Sequence, residues 1–261
     1  STFVGMNNFK ITILGSGTSL GVPMIGCNCR VCKSDHPKDK RMRAAVLIQT
    51  AEKNIVIDTG PDFRMQMLNS GITHLDGVLI THSHKDHIAG LDDVRAFNWI
   101  NHTPAQVYAE ANVIHNIKQE FSYAFSDFKH PGLPEINLHE IGTDLFEVAG
   151  IPIIPIRVMH YKLPILGFRV GGFAYLTDTN FIPKEELHKL EGVEVLVIDG
   201  LRIQEHISHF NLQQALEAIE LLKPKQAFIT HISHQMGLHD EVNSTLPLGV
   251  ELAYDGLVID L

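Results

Sequence analysis

The richest group of metal-binding side chains in the sequence falls within six positions. Its members, in the order H-x-H-x-D-H, are His82, His84, Asp86 and His87. Imidazole nitrogen and carboxylate oxygen suit a borderline divalent ion such as zinc. The apolar residues 77–80 predict a buried strand before the group, and residues 88–97 predict a helix after it. A polar surface loop is the alternative, but four ligands at a strand-to-helix turn favour a metal site.

A second group, C-x-C-x-x-C, contains all three cysteines of the chain: Cys27, Cys29 and Cys32. Three thiolates so close together can share one tetrahedral ion if a fourth ligand comes from elsewhere in the chain. The alternative is three unrelated reduced thiols, and the tight spacing weighs against it. The number and spacing do not suit a disulfide framework. We therefore expect a structural zinc here.

Several other candidates follow predicted strands. Asp58 comes after residues 54–57, and its carboxylate can hold a ligand histidine from behind or simply form a turn. The residues alone leave both interpretations open. His160 ends a strand-rich segment from residue 146, and Asp178 follows a predicted hairpin around residues 171–172. His231 follows the predicted strand 226–230, with His234 three positions later.

The remaining pattern predicts an α/β fold in a single domain spanning residues 1–261. Further strands are expected at residues 10–14, 44–49, 106–109, 194–198 and 256–260, and helices at residues 113–121 and 213–222. Residues 238–250 are predicted to be a polar connection. Residues 98–140 give the weakest pattern; His130 within them is a candidate for lining a substrate pocket.

The bulk composition limits the classes of partner. With 44% hydrophobic and 20% charged residues the chain resembles an ordinary globular protein. A net charge of −9 disfavours non-specific binding to nucleic acid or to anionic membranes. No apolar run approaches the ~20 residues that span a bilayer. The first eight residues lack the basic and apolar segments of a signal peptide. A cytoplasmic protein is expected.

The H-x-H-x-D-H group resembles the signature of the metallo-β-lactamase superfamily. This resemblance implies a four-layer αββα sandwich with two divalent ions at one edge. It makes His160 the third ligand element, Asp178 the bridging carboxylate and His231 the last ligand, and it favours Asp58 as the residue that supports a ligand from behind. The implied ions are zinc or manganese. The superfamily hosts many reactions, so the motif alone indicates hydrolysis and not a substrate.

The cysteine group and the late H-x-x-H narrow the resemblance to the PhnP-like phosphodiesterases, over residues 15–255. His234 then becomes the fourth ligand of the structural zinc. His209 matches the histidine thought to protonate the leaving alkoxide, so His209 and Asp86 are the candidate catalytic residues, with His206 as a weaker candidate. The implied reaction is hydrolysis of a small phosphodiester, of the cyclic ribose phosphate type.

Three alternatives stay open. The chain also resembles, more distantly, the tRNA 3′-processing endonucleases, but it has no basic, glycine-rich insert and its charge is negative. The PqqB proteins are non-catalytic relatives that suggest a metal-binding or carrier role. A thioester or lactam hydrolase is compatible with the same ligands. A homodimer is an open expectation.

Overall fold

The computed structural model describes residues 8–127 and 131–261, which contain fourteen strands and six α-helices. The strands β1 to β14 are, in chain order, Lys10–Gly15, Ala45–Gln49, Asn54–Ile57, Gly77–Leu79, Ala105–Ala109, Ile136–Glu140, Phe146–Val148, Ile151–His160, Leu163–Val170, Phe173–Leu176, Val195–Asp199, Gln226–Thr230, Val250–Leu252 and Val258–Asp260. The helices α1 to α6 are Phe63–Ser70, Lys85–Ile88, Arg95–Asn101, Ala111–Glu120, Leu212–Leu222 and His239–Asn243. Short 3₁₀ helices cover Pro37–Asp39, Leu91–Val94, Ser122–Phe125 and Lys184–Leu190.

The strands form two mixed sheets of seven. The first has the order β14-β1-β2-β3-β4-β5-β6, and the second has the order β13-β12-β11-β10-β9-β8-β7. In the first sheet, β3 to β6 run parallel, and in the second, β10 to β13 do. The remaining neighbours pair antiparallel. Each sheet therefore has a parallel half and an antiparallel half.

Three apolar cores separate the layers. The central core lies between the sheets and joins side chains such as Ile13, Ile57, Phe168 and Val197. A second core packs α1, α3 and α4 on the first sheet, and a third packs α5 on the second sheet. Strands such as β3 and β11 are buried along their whole length, as parallel strands covered on both faces must be. The architecture is the predicted four-layer αββα metallo-β-lactamase sandwich.

The helix predicted over residues 88–97 is broken into α2, a 3₁₀ turn and α3. The cause is close packing of two backbones at Gly90. A Cβ atom at Gly90 would lie 2.1 Å from the carbonyl oxygen of Gly60, so only glycine fits. The turn brings the H-x-H-x-D-H group against the loop that follows β3.

Sequence patterns also missed four elements: α1, β6, α6 and β13. The connection predicted over residues 238–250 contains α6 and begins β13 at its last residue. His130 and residues 1–7, on which the pocket and signal-peptide predictions depend, lie outside the described residues. Among the described residues, no helix has the length and apolarity required to cross a membrane.

Candidate metal centre

The candidate side chains gather where strands of both sheets end. Asp58 directly follows β3, and His82 follows β4 by three residues. His160 is the last residue of β8, and His231 directly follows β12. Asp178 lies two residues beyond β10. The carboxyl ends of strands in an open α/β sheet are the usual place for ligand sites, and here two sheets contribute to one site.

Three of these residues have a left-handed backbone: φ is 66° at Asp58, 53° at Asp178 and 57° at His231. Non-glycine residues adopt this conformation at a cost of about 1–3 kcal/mol each, and they keep it only where the surrounding structure enforces it. All three occur at the strand ends of the site. Three of the seven non-glycine residues with a positive φ in the described part of the chain therefore belong to the candidate site.

The first ligand group consists of His82, His84 and His160, whose ligand atoms lie within 4.8 Å of one another. The carbonyl oxygen of Ser208 lies 3.0 Å from Nδ1 of His160, and Oγ1 of Thr81 lies 3.0 Å from Nδ1 of His82. These contacts on Nδ1 leave the Nε2 atoms of both rings for the site. His84 is exposed, so the group opens to solvent on one side.

The second ligand group consists of Asp86, His87, Asp178 and His231. Oδ2 of Asp178 lies 3.1 Å from Nε2 of His87 and 3.3 Å from Nε2 of His231. Oδ2 of Asp86 lies 3.2 Å and 3.6 Å from the same two nitrogens. Ligand atoms bound at 2.0–2.1 Å to one tetrahedral ion lie about 3.3 Å apart. The four side chains are therefore spaced as ligands of one ion.

Buried nitrogens provide an independent test of this fit. Within the described part of the chain, Nε2 of His82, His87 and His231 is buried and has no hydrogen-bond partner. Buried polar atoms are normally satisfied, because an unpaired one costs about 1–3 kcal/mol. Three such atoms beside two carboxylates fit a bound cation. Asp178 also lies 3.9 Å from His82, between the two groups.

The pKa shifts of the buried histidines and carboxylates indicate that the site attracts a cation. Burial alone would lower the pKa of His87, but the carboxylates of Asp178, Asp58 and Asp86 raise it well above its ordinary value. Burial lowers the pKa of His82. Burial would raise the pKa of Asp178, but His231 and His87 hold it well below its usual range. Burial would also raise the pKa of Asp86, but His87 and His231 hold it well below its usual range. Two carboxylates that stay ionised in a buried site favour divalent ions.

Asp58 lies directly behind the second ligand group. Its Oδ2 lies 2.7 Å from Nδ1 of His87 and accepts the hydroxyl of Thr81 at 2.8 Å. Its Oδ1 accepts the backbone N–H of Thr81 at 2.9 Å. This arrangement fixes the His87 ring so that Nε2 faces Asp178. The position is the one that the ligand-supporting interpretation requires of Asp58.

His209 stands beside both groups. Its ring lies 4.7 Å from that of His160 and 4.8 Å from that of His231, measured between centroids. Its Nδ1 lies 2.8 Å from Oδ2 of Asp199, which also accepts the backbone N–H of Thr179 at 2.8 Å. Because this carboxylate is an acceptor, Nδ1 of His209 carries the proton and Nε2 is free for the site.

Sequence reasoning gave Asp199 no role, although it is the last residue of a buried strand, as His160 is of β8. Its position at the end of a buried strand was the feature of the sequence that could have identified Asp199 as a site residue. His209 and Asp199 also approach His231 closely enough to form an alternative ligand group. Burial lowers the pKa of His209 and raises that of Asp199. The predicted weaker candidate, His206, lies 5.2 Å from His209 between ring centroids and is half-buried.

The side chain of His234 lies beside the three cysteines of the loop after β1. Nδ1 of His234 lies 3.3 Å from Sγ of Cys29 and 3.5 Å from Sγ of Cys27, and Cys32 completes the group. Sulfur and nitrogen ligands of one tetrahedral zinc lie about 3.6 Å apart. A backbone N–H from Cys32 and the contact with His234 lower the pKa of Cys29 to about 6, whereas burial raises that of Cys32 to about 11. The four residues fit a closed structural zinc site.

One short segment joins the two kinds of site. Ile232 lies between His231 and His234, and it pairs with the glycine-rich turn after β1. Its backbone N–H donates to the backbone carbonyl of Ser16 at 2.9 Å, and its carbonyl accepts the backbone N–H of Thr18 at 3.1 Å. The backbone that carries a ligand of the second group is therefore held by the loop that leads into the cysteine group.

Similar proteins agree with this architecture. A crystal structure described as a new diphosphatase from the PhnP family is 40% identical, and the match covers 97% of each chain with a TM-score of 0.92. Zinc-bound PqqB from Methylobacterium extorquens is 18% identical over 97% of this chain and 100% of that one, with a TM-score of 0.77, which shows a shared fold alone.

A third similarity concerns a longer protein. The chain is 45% identical over 251 residues to the protein named octanoyltransferase from Porphyromonas gingivalis, which covers 95% of this chain. The match covers 51% of that protein, so the chain spans about half its length.

Residues 53–232 match the family described as the beta-lactamase superfamily domain. This region includes every candidate ligand of the two groups. The relatives in this fold support hydrolase chemistry with divalent metal. The chain belongs to the beta-lactamase superfamily and, through its 40% identity with the diphosphatase over nearly the whole of both chains, to the PhnP family within it.

Proposed function

We propose that this chain is a metal-dependent phosphodiesterase that hydrolyses a small substrate, of the cyclic ribose phosphate type. The observation that carries the proposal is the position of His209. Its imidazole is oriented by Asp199 through Nδ1 and stands against His160 and His231, which belong to different ligand groups. A proton donor at that point suits the departure of an alkoxide from phosphorus.

The proposed holders of one divalent ion are His82, His84 and His160. Those of the other are Asp86, His87 and His231, with Asp178 shared between the two ions. When bound, two such ions would neutralise the phosphoryl oxygens and lower the pKa of a water molecule to about 7. Asp58 keeps His87 in place through its 2.7 Å contact with Nδ1. The cysteine group and His234 would hold a separate structural zinc.

The proposed role of His209 is general acid. Hydrolysis forms a bond between phosphorus and the oxygen of water and breaks the bond between phosphorus and the leaving oxygen. In its imidazolium form His209 carries a proton on both ring nitrogens; the leaving oxygen takes the one on Nε2, Nδ1 keeps the one bonded to Asp199, and the proton released by water restores the imidazolium. Asp199 stabilises that cation and fixes the direction of Nε2.

The first experiment compares substrates with the metal-loaded protein: a ribose cyclic phosphate, a dinucleoside diphosphate and a precursor tRNA. Hydrolysis of the small substrates alone supports the proposal, whereas cleavage of the tRNA would replace it by the endonuclease alternative. Inactivity on all three, with one ion bound per chain, would favour the carrier alternative.

The second experiment tests the role of His209. The His209→Ala variant should lose about 10²–10⁴-fold in kcat with unchanged metal content, because general acids contribute that much. His188→Ala is the matched control, since that histidine is exposed on the 3₁₀ helix Lys184–Leu190. If His209→Ala loses metal, His209 is a ligand and the acid role is wrong.

A second candidate function is hydrolysis of an acyl thioester, and the observation that favours it is the 45% identity with the octanoyltransferase. Because the chain matches about half of that protein, acyl transfer can belong to the other half. Assaying octanoyl thioester beside the phosphodiesters separates the two candidates. Turnover of the thioester alone would replace the phosphodiesterase proposal.

A further inference from the structure

The side chain of Asn180 joins two loops of the site. Asn180 lies two residues after the candidate bridging residue Asp178 and is half-buried. Its Oδ1 accepts the backbone N–H of Tyr161 at 2.8 Å, and its Nδ2 donates to the backbone carbonyl of Ile207 at 3.1 Å. The amide therefore contacts one loop through an acceptor and the other loop through a donor.

These two loops carry residues that the proposed reaction uses. Tyr161 directly follows the candidate ligand His160, and Ile207 comes two residues before the candidate acid His209. Between Ile207 and His209, the carbonyl oxygen of Ser208 lies 3.0 Å from Nδ1 of His160. The loop that carries the acid therefore also contacts a ligand of the first group.

The backbone next to Asn180 binds the far end of the same loop. The N–H of Phe210 donates to the carbonyl of Thr179 at 2.7 Å. The N–H of Thr179 donates at 2.8 Å to Oδ2 of Asp199, the atom that lies 2.8 Å from Nδ1 of His209. This short segment therefore holds the loop on both sides of His209 and also fixes the carboxylate that orients the ring.

The turn after His160 depends on the acceptor side of the same amide. Tyr161 and Lys162 form the two-residue turn between β8 and β9, and φ of Tyr161 is 57°. Hairpin turns favour glycine or asparagine at left-handed positions, and a larger residue keeps that conformation only where its surroundings enforce it. The contact of Oδ1 of Asn180 with the N–H of Tyr161 therefore stabilises the turn that ends the ligand strand.

We propose that Asn180 is a positioning residue for His209, because its amide holds the loop of the acid against the turn that follows His160. This inference rests on the proposed function, which supplies the acid. An ionised carboxylate of the same shape, in Asn180→Asp, keeps the acceptor for the N–H of Tyr161 but has no N–H for the carbonyl of Ile207. That variant therefore releases the loop of the acid and leaves the turn of the ligand strand bound.

The experiment compares two leaving groups on the metal-loaded full chain. A ribose cyclic phosphate releases an alkoxide, which needs a proton as it leaves. Bis(p-nitrophenyl) phosphate releases a nitrophenolate, a weak base that leaves without one. Because a misplacement of about 1 Å can cost about 10²-fold in rate, Asn180→Asp should lower kcat on the cyclic phosphate by about 10- to 100-fold at nearly unchanged KM. On the nitrophenyl ester its kcat should stay nearly unchanged.

Further variants locate the effect. His209→Ala should show the same dependence on the leaving group, and adding Asn180→Asp to it should cause no further loss, because the group that Asn180 positions is absent. Asn101→Asp is the matched control: the amide of the half-buried Asn101 also donates to a backbone carbonyl, that of Thr73, at 3.1 Å, but on α3 beside the first sheet. Metal content and Tm of each variant show whether the metal sites and the fold are intact.

A measurement without turnover separates this inference from the proposed function. The proton on Nδ1 of His209, identified in NMR spectra by its loss in His209→Ala, should exchange with water faster in Asn180→Asp. An unchanged exchange rate would overturn the inference. So would equal losses on both esters, which indicate a general structural role, or a higher KM at unchanged kcat, which indicates contact with the substrate. A wild type that hydrolyses neither ester, with faster exchange in Asn180→Asp, would refute the proposed function and leave the positioning role standing.

Discussion

Replacing Asp58 by asparagine should weaken metal binding, although the substitution keeps the shape of the side chain. The carboxylate of Asp58 is fully buried, and both its oxygens act as acceptors. An amide offers only one acceptor oxygen. If the amide nitrogen takes the Oδ2 position, it meets the proton on Nδ1 of His87. If it takes the Oδ1 position, it meets the backbone N–H of Thr81.

Each orientation has a cost of known size. In the first, His87 can relieve the clash only by moving its proton to Nε2, which removes the lone pair that a metal needs. In the second, a buried N–H of Thr81 loses its partner, at about 1–3 kcal/mol. Substituting a residue that supports a ligand histidine in this way typically weakens metal binding by about 10–100-fold. That range corresponds to about 1.4–2.7 kcal/mol.

The assay is competition with a chelator of known affinity, combined with thermal unfolding of the metal-free protein. Asp58→Asn should bind at least one ion about 10–100-fold more weakly. Otherwise the free energy of unfolding of the metal-free protein should fall by about 1–3 kcal/mol, because the N–H of Thr81 has lost its partner. Asp76→Asn is the matched control, since Asp76 accepts the N–H of Asn54 at the other end of β3. Unchanged affinity and unchanged stability in Asp58→Asn would refute the role assigned to Asp58.

Three further predictions follow from the packing and the charges. A Cβ at Gly60 would lie 2.0 Å from the carbonyl oxygen of Asp86, so Gly60→Ala should lower metal content and turnover, whereas Gly142→Ala, which has open space, should change neither. Cys29→Ser should remove one equivalent of zinc and lower Tm by roughly 5 °C or more, and unchanged metal analysis would contradict the zinc assignment. Burial and a neighbouring guanidinium lower the pKa of His239 from 6.5 to about 4. Between those pH values the unfolded chain binds a proton at this position that the folded chain does not, so the contribution of His239 to stability should fall on acidification, and His239→Gln should remove that part of the pH dependence in denaturant titrations.

The strands around the site could be predicted because their sequences are buried on both faces. Residues of β3, β11 and β12 read as short apolar runs, and the observed elements match the predicted ones within one residue. The candidate ligands then follow those strands at the positions where the chain turns. Local apolarity and the order of ligand types together are enough to predict the edge of the sheet.

The missed elements lack such a signal. In α1, the buried positions include the polar Gln66, whereas Met65 and Leu68 are exposed, so the apolar residues show no helical stripe. Gln66 is buried because its amide donates to the carbonyl of Arg43 at 2.9 Å, a contact that no local pattern contains. Strand β6 is only half-buried at the edge of its sheet, and its apolar face consists of two residues, Ile136 and Leu138, which is too short a pattern to identify a strand.

The contacts that orient the site are equally hard to predict. Asp199 contacts His209 ten positions later in the sequence, and Asp58 contacts His87 from the end of a neighbouring strand. Both contacts depend on which strands lie side by side. A sequence motif gives the ligand types, but tertiary packing decides which carboxylate stands behind which histidine.

The division of ligands between the two sheets has a consequence for how the protein is assembled. The first sheet supplies His82, His84, Asp86 and His87, and the second supplies the other three, up to His231. A nascent chain that ends before β7 can pair β1 to β6 but carries only these four side chains of the site, and it should bind metal weakly. Once both sheets have docked, each proposed ion would cross-link segments more than seventy residues apart in sequence. Metal uptake should therefore be a late event, and a retained ion reports that both halves of the sandwich are in place.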